Sequence, residues 1–168
     1  MKTLWAAATG AAVFALHGVA RADESIIRHY GDHAPYIFEA EPHGIVGYGQ
    51  PFDRPGGAAL GFGFRGSFRI ADGFIRSIND SFGVGFGIDF APDENRVLVP
   101  IVFQWNFWLS RRWSVFAEPG FAIISGPEPN NFDPFIFYTG ARFHFTPRIA
   151  LTLRAGYPDI SVGVSFLL

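Results

Sequence analysis

The chain has 168 residues, no cysteine and a formal net charge of −2. That charge excludes a nucleic-acid surface, and the lack of cysteine excludes a disulfide framework. Only 17% of residues are charged, against about 25% in average soluble proteins, so the apolar surface needs another explanation.

The N-terminus opens Met1-Lys2. An apolar run follows from Leu4 to Val19, broken by Gly10 and His17, and leads to Ala20-Arg21-Ala22. A charged start, a short apolar core and a small-x-small exit predict a signal peptide over 1–22, cleaved on export. A membrane-spanning helix needs about 20 strongly apolar residues, and this run is shorter and rich in alanine. Residues 23–37 are polar and lack any period, so they read as a solvated periplasmic leader. His29, Asp32 and His33 lie within it, but zinc needs three or four ligands. Neither a metal nor any other cofactor is predicted.

From Phe38 onward the pattern has period two. Strand one lies within Phe38 to Gly49, with Phe38, Ala40, Val46 and Tyr48 opposite Glu39, Glu41 and His43. Gln50 to Gly57 is a loop rich in proline and glycine. Strand two runs from Ala58 to about Ile70, and Asp72 to Asp80 connects it onward. Strand three, Ser81 to Phe90, is the cleanest: Phe82, Val84, Phe86, Ile88 and Phe90 alternate with Ser81, Gly83, Gly85, Gly87 and Asp89. Alternation of this kind is an extended chain with one greasy and one nearly empty face.

Strand four spans Arg96 to Leu109 and strand five Arg112 to Ile124. Ser125 to Asp133 is a loop. Strand six runs from Pro134 to Phe145, strand seven from Arg148 to Tyr157, and strand eight from Ile160 to Leu168. Pro100 and Pro119 fall mid-strand and each removes a ladder donor, so bulges are predicted at both. Eight strands in meander order, each long enough for the roughly 9–11 residues a bilayer crossing takes, predict an all-β, eight-stranded antiparallel up-and-down transmembrane β-barrel over 38–168.

The faces discriminate between barrels. A soluble lipocalin-like binding barrel, the main alternative, keeps its apolar residues inside. Here the charges share a face with the glycines, which suit a narrow lumen. Aromatic residues collect at strand ends as membrane-interface girdles do: Trp105, Trp113, Phe143, Phe145 and Phe166 at one end, Tyr157 at the other.

In this architecture the chain resembles the small eight-stranded outer-membrane barrels of Gram-negative bacteria, the outer-membrane protein A and X type. The resemblance covers roughly Phe38 to Leu168. Its sharpest part is the last strand, where Ile160, Val162, Val164, Phe166 and Leu168 keep the family's apolar alternation; the family ends in an aromatic residue and this chain ends in Leu. The resemblance implies a location in the outer membrane among lipid and lipopolysaccharide. It also implies insertion by the barrel-assembly machinery and a monomer with a structural, envelope or surface-interaction role.

Parity points Arg65, Arg69, Asp89, Arg96, Glu118, Arg142, Arg154 and His144 inward, together with Glu39 and Glu41. Buried charges must be paired, so ion pairs are predicted across the lumen. Glu118 is expected to meet Arg154 across Gly140 with Arg142 nearby, and Arg65 and Arg69 to fall near Glu39, Glu41 and His43. Eight strands leave an interior just wide enough for side chains, so no open pore is expected. Some related barrels act on lipid A, and the deacylase type carries a Ser–His–acid set facing lipid. Here the matching place reads His144-Phe145-Thr146, without the serine nucleophile, so an enzyme is not the expectation. A serine hydroxyl within hydrogen-bond reach of His43 or His144 would favour that alternative.

Overall fold

Only an extended chain separates the two residue sets cleanly, and the protein, seen in a computed structural model, adopts one along eight long strands. Residues 25–49, 52–54, 57–73, 75–127 and 132–168 are described. The predicted signal peptide and parts of the loops at 50–57 and 125–133 lie outside them.

The strands are β1 Phe38–Gly47, β2 Gly57–Asp72, β3 Asp80–Ala91, β4 Arg96–Trp108, β5 Trp113–Ser125, β6 Phe132–Thr146, β7 Ile149–Tyr157 and β8 Asp159–Leu167. A two-residue strand, Asp53–Arg54, pairs with Ala58 and Gly57 at the start of β2. Each long strand pairs antiparallel with its neighbours in sequence, and β1 pairs with both β2 and β8. The sheet is therefore a closed up-and-down barrel without free edges. Ile37 N and Phe38 N donate to Leu168 O, and Leu168 N donates to Phe38 O, which extends the closing seam.

Period two sorts the faces along every strand. Leu60, Phe62, Phe103 and Phe135 are 63%, 59%, 54% and 64% exposed on the outside, while Glu39, Glu41, Asp89, Glu118 and Arg154 are buried inside. The β1–β2, β3–β4, β5–β6 and β7–β8 connections share one end, the loop end. The other three turns, residues 25–37 and Leu168 share the opposite, terminal end.

The two mid-strand prolines behave differently. A register shift lies between Gly120 and Ala122, next to Pro119. Pro100 carries no bulge: it pairs in register with Ala122. The β3–β4 ladder simply opens between Phe86↔Ile101 and Asp89↔Leu98. The chain forgoes the missing donor's bond there rather than adding a residue.

Residues 25–37 depart from the expected solvated leader. Ile26 N donates to Leu109 O and Asn79 N donates to Ile27 O at 2.6 Å. Ile26 and Tyr36 bury themselves with Trp108 and Leu167 in one cluster. This segment caps the terminal end of the barrel. At the loop end, Phe52 turns inward and joins Ala59, Ala91, Leu98, Ala122 and Ile136 in a second, apolar cluster.

Candidate functional site: the charged lumen

Between these two clusters the interior is polar. Arg154 on β7 lies at its centre. Its Nε donates to Glu118 Oε2 at 2.8 Å, and its Nη1 and Nη2 donate to the two Glu41 oxygens at 2.6 and 3.1 Å. Glu118 also accepts from Gln104 Nε2, and Glu41 from Ser165 Oγ. Charge-assisted bonds of this bidentate kind are strong and geometrically specific. Arg154 reaches Glu41 over β8 because β8 offers only small inward residues there. A Cβ on Gly163 would lie 2.9 Å from Glu41 Cγ.

One layer toward the terminal end, Arg142 donates from Nε and Nη2 to the Glu39 carboxylate at 2.9 and 3.0 Å and from Nη1 to Asn106 Oδ1 at 2.7 Å. The Phe116 ring lies beneath both guanidinium groups, 4.2 Å from that of Arg142 and 5.2 Å from that of Arg154. Cation–π attraction of this kind is strengthened where water is excluded. Nearer still to the terminal end, Ser114 Oγ lies 3.0 Å from His144 Nε2. Both side chains are buried in the lumen, and the imidazole packs against Trp108 at 4.8 Å.

Toward the loop end, Arg65 Nη2 donates to Asp89 Oδ2 at 2.7 Å, and His43 Nε2 lies 2.9 Å from Asp89 Oδ1. Arg65 also sits over the Tyr138 ring, whose hydroxyl donates to Asp159. Arg65 Nε and Nη1 have no protein partner. Arg65 also lines a small, water-sized cavity together with Glu118, Gln104 and Ser67.

Several predicted placements change. Arg65 is in register with Glu41 on β1, yet it pairs with Asp89, because Arg154 already occupies Glu41. Arg69 leaves the lumen network: its Nη1 lies 3.0 Å from His33 Nε2 and 3.2 Å from Asp72, at the terminal end. Arg96 sits at the loop end near Glu94. Glu118 is opposite Tyr138 rather than Gly140. The space above Gly140 belongs to the Phe116 ring, which a Cβ there would overlap.

His33 is also not solvated. Its side chain is 1% exposed, stacks on Trp108 at 4.8 Å and hydrogen-bonds Asn79 Oδ1 at 2.7 Å. His29 is exposed beside Asp32. Among the described residues no group of three or more His, Cys, Asp or Glu is placed to hold a metal. Burial pushes the Tyr36 phenol in the cap up to about 12, and Glu39 adds to the effect.

The aromatic residues ring the strand ends. At the terminal end of β4, β5 and β6, Trp105 packs on Phe107, Trp113 on Phe143, and Phe143 edge-on to Phe145. Phe166 lies outside the terminal half of β8, and Tyr157 ends β7 at the loop end. Val162, Val164, Phe166 and Leu168 all face outward and are exposed.

Gln104, Asn106, Ser67, Ser114 and Ser165 join these contacts as uncharged members. Inward parity was the signal that marks all five, and their lack of charge hid them.

No protein-family model matches the chain, and no curated protein matches it. Solved structures do. A de novo designed transmembrane β-barrel aligns with a TM-score of 0.56 at 13% identity, covering 83% of this chain and 99% of the design. The designed barrel TMB2.3 aligns at 0.55 and 11% identity, covering 82% and 98%. Neisserial surface protein A (NspA) aligns at 0.47 and 18% identity, covering 79% and 97%. Identities this low speak to the fold alone. That fold is the closed eight-stranded antiparallel barrel.

Proposed function

We propose that this chain is an exported outer-membrane β-barrel of Gram-negative type, with a structural, envelope or surface-interaction role. One observation carries the reading: large apolar side chains cover the outside while charges fill the inside. Water penalises that arrangement on both faces, whereas a bilayer rewards the outer one. It also weighs against a soluble lipocalin-like barrel. Residues 1–22 are proposed as the cleaved signal peptide. Residues 160–168 are proposed as the segment read by the barrel-assembly machinery, and the protein is proposed to sit as a monomer among lipid and lipopolysaccharide.

The lumen is proposed to be plugged. Salt bridges fill its middle, the Phe52 cluster closes the loop end and residues 25–37 close the terminal end. The mature protein is expected in the outer-membrane fraction, with heat-modifiable gel migration and no conductance steps in a planar bilayer. Recovery in the soluble periplasm overturns the membrane assignment. Discrete steps overturn the plug.

The Ser114–His144 hydrogen bond favours a second reading, an enzyme acting on outer-membrane lipid. Activation of serine needs a base that is itself oriented by a third group. Among the described residues no carboxylate pairs with His144, and the pair faces the packed lumen rather than lipid. A serine-directed fluorophosphonate is therefore expected to leave Ser114 unlabelled. Labelling at Ser114 revives the enzyme.

A further inference from the structure

The terminal end carries exposed arginines on three successive turns. Arg76 is on the β2–β3 turn, Arg111 and Arg112 on the β4–β5 turn, and Arg148 on the β6–β7 turn. Arg28 is exposed in the cap. Arg111 has a single, distant carboxylate, Asp32 at 3.9 Å, with side chains 72% and 45% exposed. Arg28, Arg76, Arg112 and Arg148 pair with no carboxylate among the described residues. Other acids at this end are engaged: Asp72 faces Arg69 and His33, and Asp80 accepts from the Trp105 indole and Ile75 N. The loop end differs in sign: Asp93, Glu94 and Asp133 lie there, with Glu94 beside Arg96.

A single unpaired surface arginine means little. Position sets these apart. Arg111, Arg112 and Arg148 lie immediately beyond the ring of Trp105, Phe107, Trp113, Phe143 and Phe145. Their turns are adjacent, since His144 N donates to Arg112 O at 2.8 Å. Aromatic belts sit at the headgroup level of a bilayer. A guanidinium group placed just outside such a belt meets phosphate, which it binds bidentately.

We propose that Arg111, Arg112 and Arg148, with Arg76 flanking them, form a rim that binds the phosphate headgroups of anionic phospholipids in the leaflet at the terminal end. The proposal rests on the membrane-spanning reading above. The rim biases which lipid touches the barrel and which leaflet its terminal end occupies.

Trp105 and Trp113 stand in that belt and report on neighbouring lipid. The full mature chain is folded into phosphatidylcholine vesicles containing either brominated phosphatidylglycerol or brominated phosphatidylcholine at equal fraction, and tryptophan quenching is read. Wild type is expected to enrich phosphatidylglycerol about fivefold, the equivalent of one arginine near a charged surface. The preference is expected to fall with added salt and to vanish in the Arg111→Gln, Arg112→Gln, Arg148→Gln variant. All three side chains are exposed, so the barrel is expected to fold, and heat-modifiable migration checks it. Insertion with equal quenching by both lipids, or a preference that survives the triple substitution, overturns the rim alone. Failure of wild type to insert in either vesicle overturns the membrane reading and the rim with it.

Discussion

Phe116 and Gly140 share one space: they face each other across β5 and β6, and the ring fills the volume a side chain at 140 would take. The ring in turn supports the guanidinium groups of Arg142 and Arg154. Gly140→Ala is therefore expected to destabilise the barrel by about 1–3 kcal/mol, as overpacking does. Gly44→Ala is the control, because nothing lies within 4 Å of its Cβ; it is expected to stay within about 0.5 kcal/mol of wild type. Urea unfolding in lipid vesicles measures both.

Glu118→Gln keeps the shape of the side chain and removes its charge. Arg154 then has Glu41 as its one carboxylate partner. Removing one member of a buried pair costs about 3–5 kcal/mol, and a loss toward the lower figure is expected because Glu41 remains. Arg154→Met strands two carboxylates and is expected to cost more. The double variant is expected to cost less than the sum of the two, by about 1 kcal/mol or more. Strict additivity would show that the pair does not couple.

The outer face gives an independent test of the solvent it meets. Phe103 lies mid-strand in β4 and is 54% exposed. Phe103→Arg is expected to cost about 2–4 kcal/mol in vesicles if that position sits in hydrocarbon. In water the same change would be close to neutral.

The cap over residues 25–37 lies outside the eight long strands, so its docking is separable from barrel stability. His33→Ala removes the stack on Trp108 and the bond to Asn79. Amide exchange at Asn79, whose N–H is bonded to Ile27 O, is expected to speed up. Exchange in the middle of β7 is expected to stay unchanged. Coupled acceleration at both places would show that cap and barrel open as one unit.

Tyr36 sets an alkaline limit on the same contact. Its folded value, about 12, lies above the ordinary phenol value of about 10. The raised value means folding favours the neutral phenol, so the stabilisation is complete below pH 10 and is lost as pH rises through 12. Tyr36→Phe is expected to remove that loss. Trp108 fluorescence followed through the titration reads the release.

The barrel was legible because alternation leaves little freedom: Phe82 to Phe90 cannot be sorted into one face by any helix. Strand number, order and inward parity all follow from that single period. The partners within the lumen do not. Arg65 has Glu41 beside it on β1 and Asp89 one strand away on β3, and parity ranks them equally. The choice is made by Arg154, two strands from Glu41, reaching over the small residues of β8. The Glu118 offset has a local cause: Phe132 and Asp133, assigned to the loop by their composition, already pair with Ile123 and Ala122, so counting back from the loop starts too late in the chain. The cap was hidden for another reason. Residues 25–37 bind largely as coil, through scattered backbone bonds and side chains such as Ile26, His33 and Tyr36, and coil carries no period to read.

The ion pairs of the lumen span long stretches of chain. Glu39 and Arg142 are 103 positions apart, and Glu41 and Arg154 are 113. Contacts so distant in sequence form late, after the entropy of closing the intervening chain has been met. A sheet of the first five strands would therefore hold Glu39 and Glu41 without their arginines, in a half-closed trough still open to water. Neutralising the interior and closing the β1–β8 seam become a single step. The molecule is thereby discouraged from resting as an incomplete, leaky intermediate: until the final strand arrives, the carboxylates keep their water and hold the trough apart.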